Sequence, residues 1–282
     1  MTAQVVDGRS IANEILLDLR GRVHTLHRKS VTPCLVFVTI GASPPAQMYV
    51  HRLERLAEPV GVRVRTCMLD DAVSVNELEH QISVLSADET VDGVLVQMPL
   101  PESLLNARLS TLIYPRKDVD GITVHNAGRL YLGQSGQLPS TAAAMMHILD
   151  HCDVRISGSH AVVVGRSNVV GHPIAELLLH RDATVTVAHR KTRKLAELTR
   201  QANILVVAAG EPALIQPDMV SEGVVILDAG INVTPAGLRG DVQFEGCSAK
   251  ASVITPVPGG IGPVTNAVLL RGVVRSAEHR HV

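Results

Sequence analysis

The chain has 282 residues, 46% hydrophobic and 19% charged, with a net charge of −1; this is enough apolar content for two packed domains and excludes a disordered or collagen-like chain. Near-neutrality and only five aromatic residues (two Phe, three Tyr) argue against nucleic acid or an anionic membrane as partner, because those partners draw on a basic face and on stacking rings. Cys34, Cys67, Cys152 and Cys247 form no CxxC pair, and none of the thirteen histidines lies in an HExxH run, so neither a metal site nor a disulfide framework is expected.

No run of about 18 apolar residues occurs, and MTAQVVDGRS has no basic segment followed by an apolar stretch; a cytoplasmic protein is the expectation. Apolar residues recur at helical spacing over 11–26 (Ile11, Ile15, Leu16, Leu19, Val23, Leu26), followed by the near-continuous strand run CLVFVTI at 34–40. A helix over 45–58, stopped by Pro59 and Gly61, a strand over 62–69, a helix over 75–86 and a strand over 93–97 complete a first alternation. Continuous apolar strands separated by helices predict a parallel sheet covered on both faces.

After PLP at 99–101 the pattern loosens to about residue 140, and a second alternation begins. It runs through strand 160–165, a helix from 171, strand 183–188, helix 193–201, and strands 203–209 and 223–229; a last helix covers 263–278. The fold class expected is α/β with two α/β domains. Residues 1–140 with the C-terminal helix 263–282 form the first, and residues 141–262 form a Rossmann-type doubly wound parallel sheet.

The segment HAVVV enters GRSNVVG at 165–171 and then an apolar helical run. A strand, a glycine turn and a helix opening aim backbone N–H groups and the positive end of a helix dipole at a pyrophosphate. Gly165, Arg166, Ser167, Asn168, Val169 and Gly171 are therefore candidate cofactor contacts. The spacing is not GxGxxG, since Ser167 stands where a second glycine would be, so a plain strand-to-helix turn is an equal reading of the loop by itself. The next strand ends in His189, Arg190 and Lys191 where an NAD-selective fold commonly carries an acid. Cations there, with Arg166, suit a ribose 2′-phosphate, favouring NADP over NAD; the alternative is a solvated basic helix start.

Several segments occur in order along nearly the whole chain: Tyr49-Val50, VQMPLP at 96–101, KDVDG at 117–121, GRSNVVG at 165–171, Gly230-Ile231-Asn232 with GDV at 240–242, and TPVPGGIGP at 255–263. Together they resemble the bifunctional methylenetetrahydrofolate dehydrogenase/methenyltetrahydrofolate cyclohydrolase family. The resemblance implies a homodimer of two-domain subunits, a folate substrate held between the domains, and a nicotinamide cofactor. It implies that Tyr49 stacks on the folate, Asp120 holds the pterin edge, Gln97 bonds a catalytic lysine, Pro258, Gly259 and Gly260 form a closing loop, and Ile231 lies at the cofactor.

Three positions depart from the family pattern. Leu53 occupies the catalytic lysine position, Ala46 replaces a serine, and Ser140-Thr141-Ala142 stands where CysThrPro is usual. Tyr49 and Leu53 are i and i+4 on one helix face, and leucine moves no proton, so cyclohydrolysis should lose a positioned acid/base group; Arg52 and Arg55 point about 100° and 200° away around the helix and are poor substitutes. Hydride transfer requires positioning and electrostatics and no enzyme base. The expectation is an NADP-dependent methylenetetrahydrofolate dehydrogenase with weak or lost cyclohydrolase activity. The alternatives are a paralogue acting on another pterin-like substrate, or a non-catalytic folate- or nucleotide-binding partner.

Overall fold

The computed structural model describes residues 3–41, 43–235 and 237–280. In chain order its elements are β1 (Gln4–Val5), α1 (Gly8–His27), β2 (Cys34–Ile40), α2 (Pro44–Ala57), β3 (Arg63–Leu69), α3 (Val75–Ala87), β4 (Gly93–Val96), α4 (Leu109–Leu112), α5 (Val124–Tyr131) and α6 (Ser140–His151). They continue with β5 (His160–Val164), α7 (Gly171–Leu179), β6 (Thr184–Ala188), α8 (Leu195–Thr199), β7 (Ile204–Val207), β8 (Val225–Asp228), β9 (Asn232–Thr234), β10 (Gly237–Arg239), α9 (Phe244–Ser248), β11 (Val253–Ile254) and α10 (Ile261–Arg280).

The chain divides into two compact units. One contains the N-terminal segment through Asn13 and Pro139–Thr265; the other contains Glu14–Leu138 and Asn266–Val282. The first unit holds an all-parallel sheet ordered β1-β11-β8-β7-β5-β6. Its central strands β5, β7 and β8 are almost wholly buried and apolar apart from the terminal His160 and Asp228, as a parallel sheet requires. A small antiparallel hairpin pairs β9 with β10.

The second unit holds a parallel sheet ordered β3-β2-β4. β2 is buried along its length, whereas β3 alternates between exposed and half-buried positions. The expected cover on both faces therefore does not extend to this edge strand, whose arginines Arg63 and Arg65 reach solvent. Helix α2 begins with Pro44 in its first turn, where the missing N–H loses no bond, and Gly61 with φ 85° ends the short turn that follows it. Helix α3 starts in a reciprocal cap: Ser74 Oγ accepts the Glu77 N–H, and Glu77 Oε2 accepts the Ser74 N–H at 2.9 Å.

Two further expectations change. Residues through Asn13 were assigned to the first domain, but β1 pairs with β11, Gln4 opposite Val253 and Val5 opposite Ile254, so this segment extends the Rossmann sheet. The ends of the expected spans, residues 1–2 and 281–282, lie outside the described residues. The expected helix over 193–201 is only Leu195–Thr199. The Thr192 hydroxyl accepts the His189 N–H at 2.9 Å and Lys194 takes a left-handed φ of 57°, so a turn occupies the residues that carry the basic cluster.

Candidate active site

Helix α2 buries Ala46, Val50, Leu53 and Ala57 and leaves Tyr49 half-buried at the margin of that stripe. The Tyr49 ring packs on Phe37 of β2, with centroids 5.7 Å apart and planes tilted 50°. Its hydroxyl lies 3.4 Å from Asn266 Oδ1 of α10. Burial, with the negative charge of Asp120 adding, pushes the phenol up to about 12, and the charge of Arg52 opposes. Tyr49 is thus a neutral hydroxyl at physiological pH with a carboxylate and a guanidinium in its field.

Leu53 does not share that margin. Its side chain is 0% exposed, which contributes about 1.5–3 kcal/mol of apolar burial and makes it core. The helical spacing put it on Tyr49's face; the two residues lie on one side of α2, but the packing keeps only the tyrosine accessible. Arg52 is the residue the spacing argument missed. Measured from Leu53 it points away, yet from Tyr49 it is i+3 and a neighbour.

Gln97 follows β4, and its backbone N–H donates to Val38 at 2.9 Å. Its side-chain oxygen accepts the Thr39 hydroxyl, and Nε2 lies 3.5 Å from Ser43 Oγ. The amide expected to serve a lysine therefore has partners on β2 and on the loop before α2. Asp120, half-buried, sits on a turn built by its neighbours. The Asp118 carboxylate accepts the Ile122 and Thr123 N–H groups at 2.9 and 2.8 Å and the Asn126 amide at 2.8 Å. Lys117, 1% exposed, donates to the Asp88 carbonyl at 2.6 Å, and burial holds its ammonium below the usual lysine range. The KDVDG run is thus a scaffold that presents one carboxylate.

In the other unit, β5 runs into Gly165 with φ 133°. A Cβ there would sit 2.2 Å from the Ala208 carbonyl oxygen, and one on Gly171 would sit 2.3 Å from the Gly165 oxygen. Both positions exclude any side chain, so the backbone forms a close-fitting turn before α7. The Ser167 hydroxyl accepts the Val170 N–H at 3.1 Å, a local bond that stands in for the tight turn of a second glycine. Arg166, Ser167, Asn168 and Val169 are exposed. A glycine cradle at a helix start with exposed polar groups and a cation fits a dinucleotide. At the end of β6, His189 is half-buried and Arg190 exposed. The Lys191 N–H donates to His189 Nδ1 at 3.2 Å, so the ring accepts there and folds the basic turn.

The spacing of GIN at 230–232 and GDV at 240–242 reflects a pair of buried carboxylates that sequence reasoning left without a role. Asp241, 0% exposed, accepts the N–H groups of Ala209, Gly210 and Glu211 at 2.6, 2.8 and 3.0 Å and the Asn232 amide at 2.8 Å. Asp228 accepts from Gly230, Asp241 and Val242; burial nevertheless pushes its carboxyl up to about 6, and those N–H donors pull it back. Together they tie the loops after β7 and β8 and fix Ile231, which is 70% exposed. Pro258 is exposed and Gly260 buried. The Gly8 N–H donates to the Gly259 carbonyl at 3.0 Å, and a Cβ on Gly8 would meet the Gly260 oxygen at 1.8 Å. The Pro/Gly loop is therefore packed on the start of α1.

The structure brings Tyr49 and Asp120 into one electrostatic neighbourhood and Gly165, Gly171 and Arg166 into one turn. His147 and His151 stand four apart on α6, a spacing the sequence reading overlooked, but among the described residues no group of three or more metal-ligating side chains exists. No helix among them is long and apolar enough to cross a membrane.

A parallel sheet with a glycine turn opening a helix, in a chain with a second α/β unit, defines a two-unit dinucleotide-binding protein of Rossmann type. Residues 6–120 match the model for the tetrahydrofolate dehydrogenase/cyclohydrolase catalytic domain, and residues 139–281 match that for the NAD(P)-binding domain. The bifunctional protein FolD of Ligilactobacillus salivarius is 42% identical over 279 residues, 99% of this chain and 98% of the relative. The crystal structure of the bifunctional FolD methylenetetrahydrofolate dehydrogenase/cyclohydrolase of Campylobacter jejuni is 40% identical, with TM-score 0.96 over 99% of each chain. That of the Trypanosoma brucei dehydrogenase-cyclohydrolase, complexed with NADP and an inhibitor, is 34% identical with TM-score 0.94 over 99% of this chain and 98% of that one. The chain belongs to the tetrahydrofolate dehydrogenase/cyclohydrolase family.

Proposed function

We propose that the chain oxidises methylenetetrahydrofolate to methenyltetrahydrofolate by direct hydride transfer to NADP, and that it has lost most or all cyclohydrolase activity. The observation that carries this reading is Leu53, wholly buried and apolar at the lysine position, beside a retained Tyr49, Gln97 and Asp120. Hydride leaves the methylene carbon for the nicotinamide while the adjacent nitrogens take up the positive charge; no protein base is consumed. Tyr49 would stack on the folate and Asp120 would take the hydrogen bonds of its pterin edge, a fork of donors that a carboxylate suits. Pro258, Gly259 and Gly260 would border the substrate. The absence of an ammonium eases formation of a cationic product. The resemblance also supports a homodimer.

NADP would lie on the 165–171 turn, with Gly165, Arg166, Ser167, Asn168, Val169 and Gly171 around its phosphates, His189 and Arg190 at the ribose and Ile231 near the nicotinamide. The exposed cations Arg166 and Arg190 support NADP over NAD. Arg190→Asp is expected to raise the KM for NADP at least about tenfold, the loss of one charge-assisted contact, with little change for NAD. Equal losses with both cofactors would remove Arg190 from the 2′-phosphate.

The functional test is the growth of methenyltetrahydrofolate absorbance when the chain is mixed with methylenetetrahydrofolate and each cofactor. NADP-dependent growth supports the reading; no turnover with either cofactor overturns it. Asp120→Asn in the same assay is expected to raise the folate KM about tenfold and lower kcat, with the NADP KM unchanged. An unchanged folate KM would mean that the substrate is not held there.

A further inference from the structure

Helix α10 carries one polar side chain opposite the tyrosine that the proposed function places against the folate. Asn266 is 6% exposed, and its neighbours Ala267, Val268, Leu269 and Leu270 are also buried. A buried amide in such surroundings carries a desolvation penalty unless it is bonded. The Tyr49 hydroxyl lies 3.4 Å from Asn266 Oδ1. That separation exceeds the 2.5–3.0 Å of a tight O–H···O bond, and hydrogen bonds at sites of this kind commonly shorten once a ligand presses on them.

The ring of Tyr49 is already fixed on one side by Phe37, so the hydroxyl end is the remaining freedom. An acceptor on α10 receives the phenol O–H as a hydrogen bond and holds it away from the open edge of the ring. The oxygen lone pairs are then left toward the ligand, where they favour a cation over a neutral group. Arg52 and Asp120, whose charges oppose one another at this hydroxyl, stand on α2 and on the 118–121 turn, so α10 supplies the neutral hydrogen-bond partner.

We infer that Asn266 is a positioning residue for the site: it holds the Tyr49 phenol as a donor to α10 and thereby as an acceptor toward the folate. The inference rests on the reading of Tyr49 as the folate platform. Asn266 touches the substrate only through the tyrosine, and its role belongs to the hydride-transfer reaction.

The test is a double-mutant cycle on the intact chain with Tyr49→Phe, Asn266→Leu and both, read as kcat and KM for methylenetetrahydrofolate. Asn266→Leu is expected to raise the folate KM about tenfold with the NADP KM unchanged, and to add less than about twofold to Tyr49→Phe. Asn266→Asp, which keeps an acceptor oxygen, is expected to recover part of the loss. A second reading needs no substrate. With tyrosine labelled at the ring carbon bearing the hydroxyl, the chain gives signals for its three tyrosines, and Tyr49→Phe assigns one of them. Asn266→Leu should move that signal and leave the other two in place.

Full losses that multiply in the double variant, or an unmoved Tyr49 signal, would overturn the inference and make Asn266 a packing residue. A native chain with no hydride transfer would instead overturn the functional reading, and the carbon signal would still report whether the contact exists.

Discussion

On the proposed reading, methenyltetrahydrofolate incubated with the native chain is expected to disappear no faster than it does spontaneously, because Leu53 supplies no acid/base group of the kind worth about 10²–10⁴-fold. Leu53 carries no titratable atom and no exposure. Arg52 and Glu54 flank it in sequence: the charge of Arg52 acts on Tyr49, but a guanidinium has no acceptor atom with which to serve as a base, and Glu54 is exposed and lies 3.6 Å from His51. Leu53→Lys is expected to restore hydrolysis in part. Tyr49 lies one turn away on the same helix, and Gln97 Oε1, which accepts the Thr39 hydroxyl, keeps a second lone pair for an amine. A lysine in this buried position also loses solvation, which lowers its pKa toward neutrality, and gives up about 1.5–3 kcal/mol of leucine burial. The variant should therefore melt at lower temperature while hydrolysing faster. Leu53→Met, which keeps volume and polarity, is expected to do neither. Equal gains with methionine and lysine would mean that loosened packing, and not the amine, admits water.

The second large effect concerns the nucleotide turn. Gly165→Ala is expected to weaken NADP by about 10²-fold or more, the scale of a misplaced binding group. The new methyl would lie 2.2 Å from the Ala208 oxygen and 2.8 Å from its carbon, both backbone atoms, at a φ of 133° that side chains rarely adopt. The Ala208 N–H donates to Val164 at 2.8 Å, so relief requires parting β5 from the segment that follows β7. Gly158→Ala is the control: its φ of 76° is also positive, but a Cβ there meets nothing within 4 Å. Isothermal titration with NADP separates the two. A strong loss in both variants would trace the effect to backbone strain at large, and retention in both would remove the 165–171 turn from cofactor binding.

The legible parts of the fold were those in which one segment suffices. CLVFVTI at 34–40 is apolar but for Thr39 because β2 is the central, buried strand of its sheet, and GRSNVVG carries its own turn chemistry. Segments whose state depends on distant residues were not legible. Gln4 and Val5 form a strand only because Val253 and Ile254 offer an edge, and two residues have no periodicity. Lys194 ends the basic turn in a left-handed conformation, which shortened the predicted helix. At the site, i and i+4 spacing joined Tyr49 to Leu53 correctly in angle but gave no depth, since burial is set by what packs on the helix. Arg52 and Asn266 were missed for related reasons. One was judged from Leu53 instead of Tyr49, and the other is one of several polar residues along α10, with nothing in its sequence neighbours to point to α2.

The most direct test compares two reactions in one sample of the native chain: NADP reduction with methylenetetrahydrofolate, and loss of methenyltetrahydrofolate absorbance above the spontaneous rate. A buried leucine at the lysine position predicts hydride transfer with hydrolysis at background. Hydrolysis keeping pace with hydride transfer would contradict this account, since another group would then be moving the proton assigned to the missing amine.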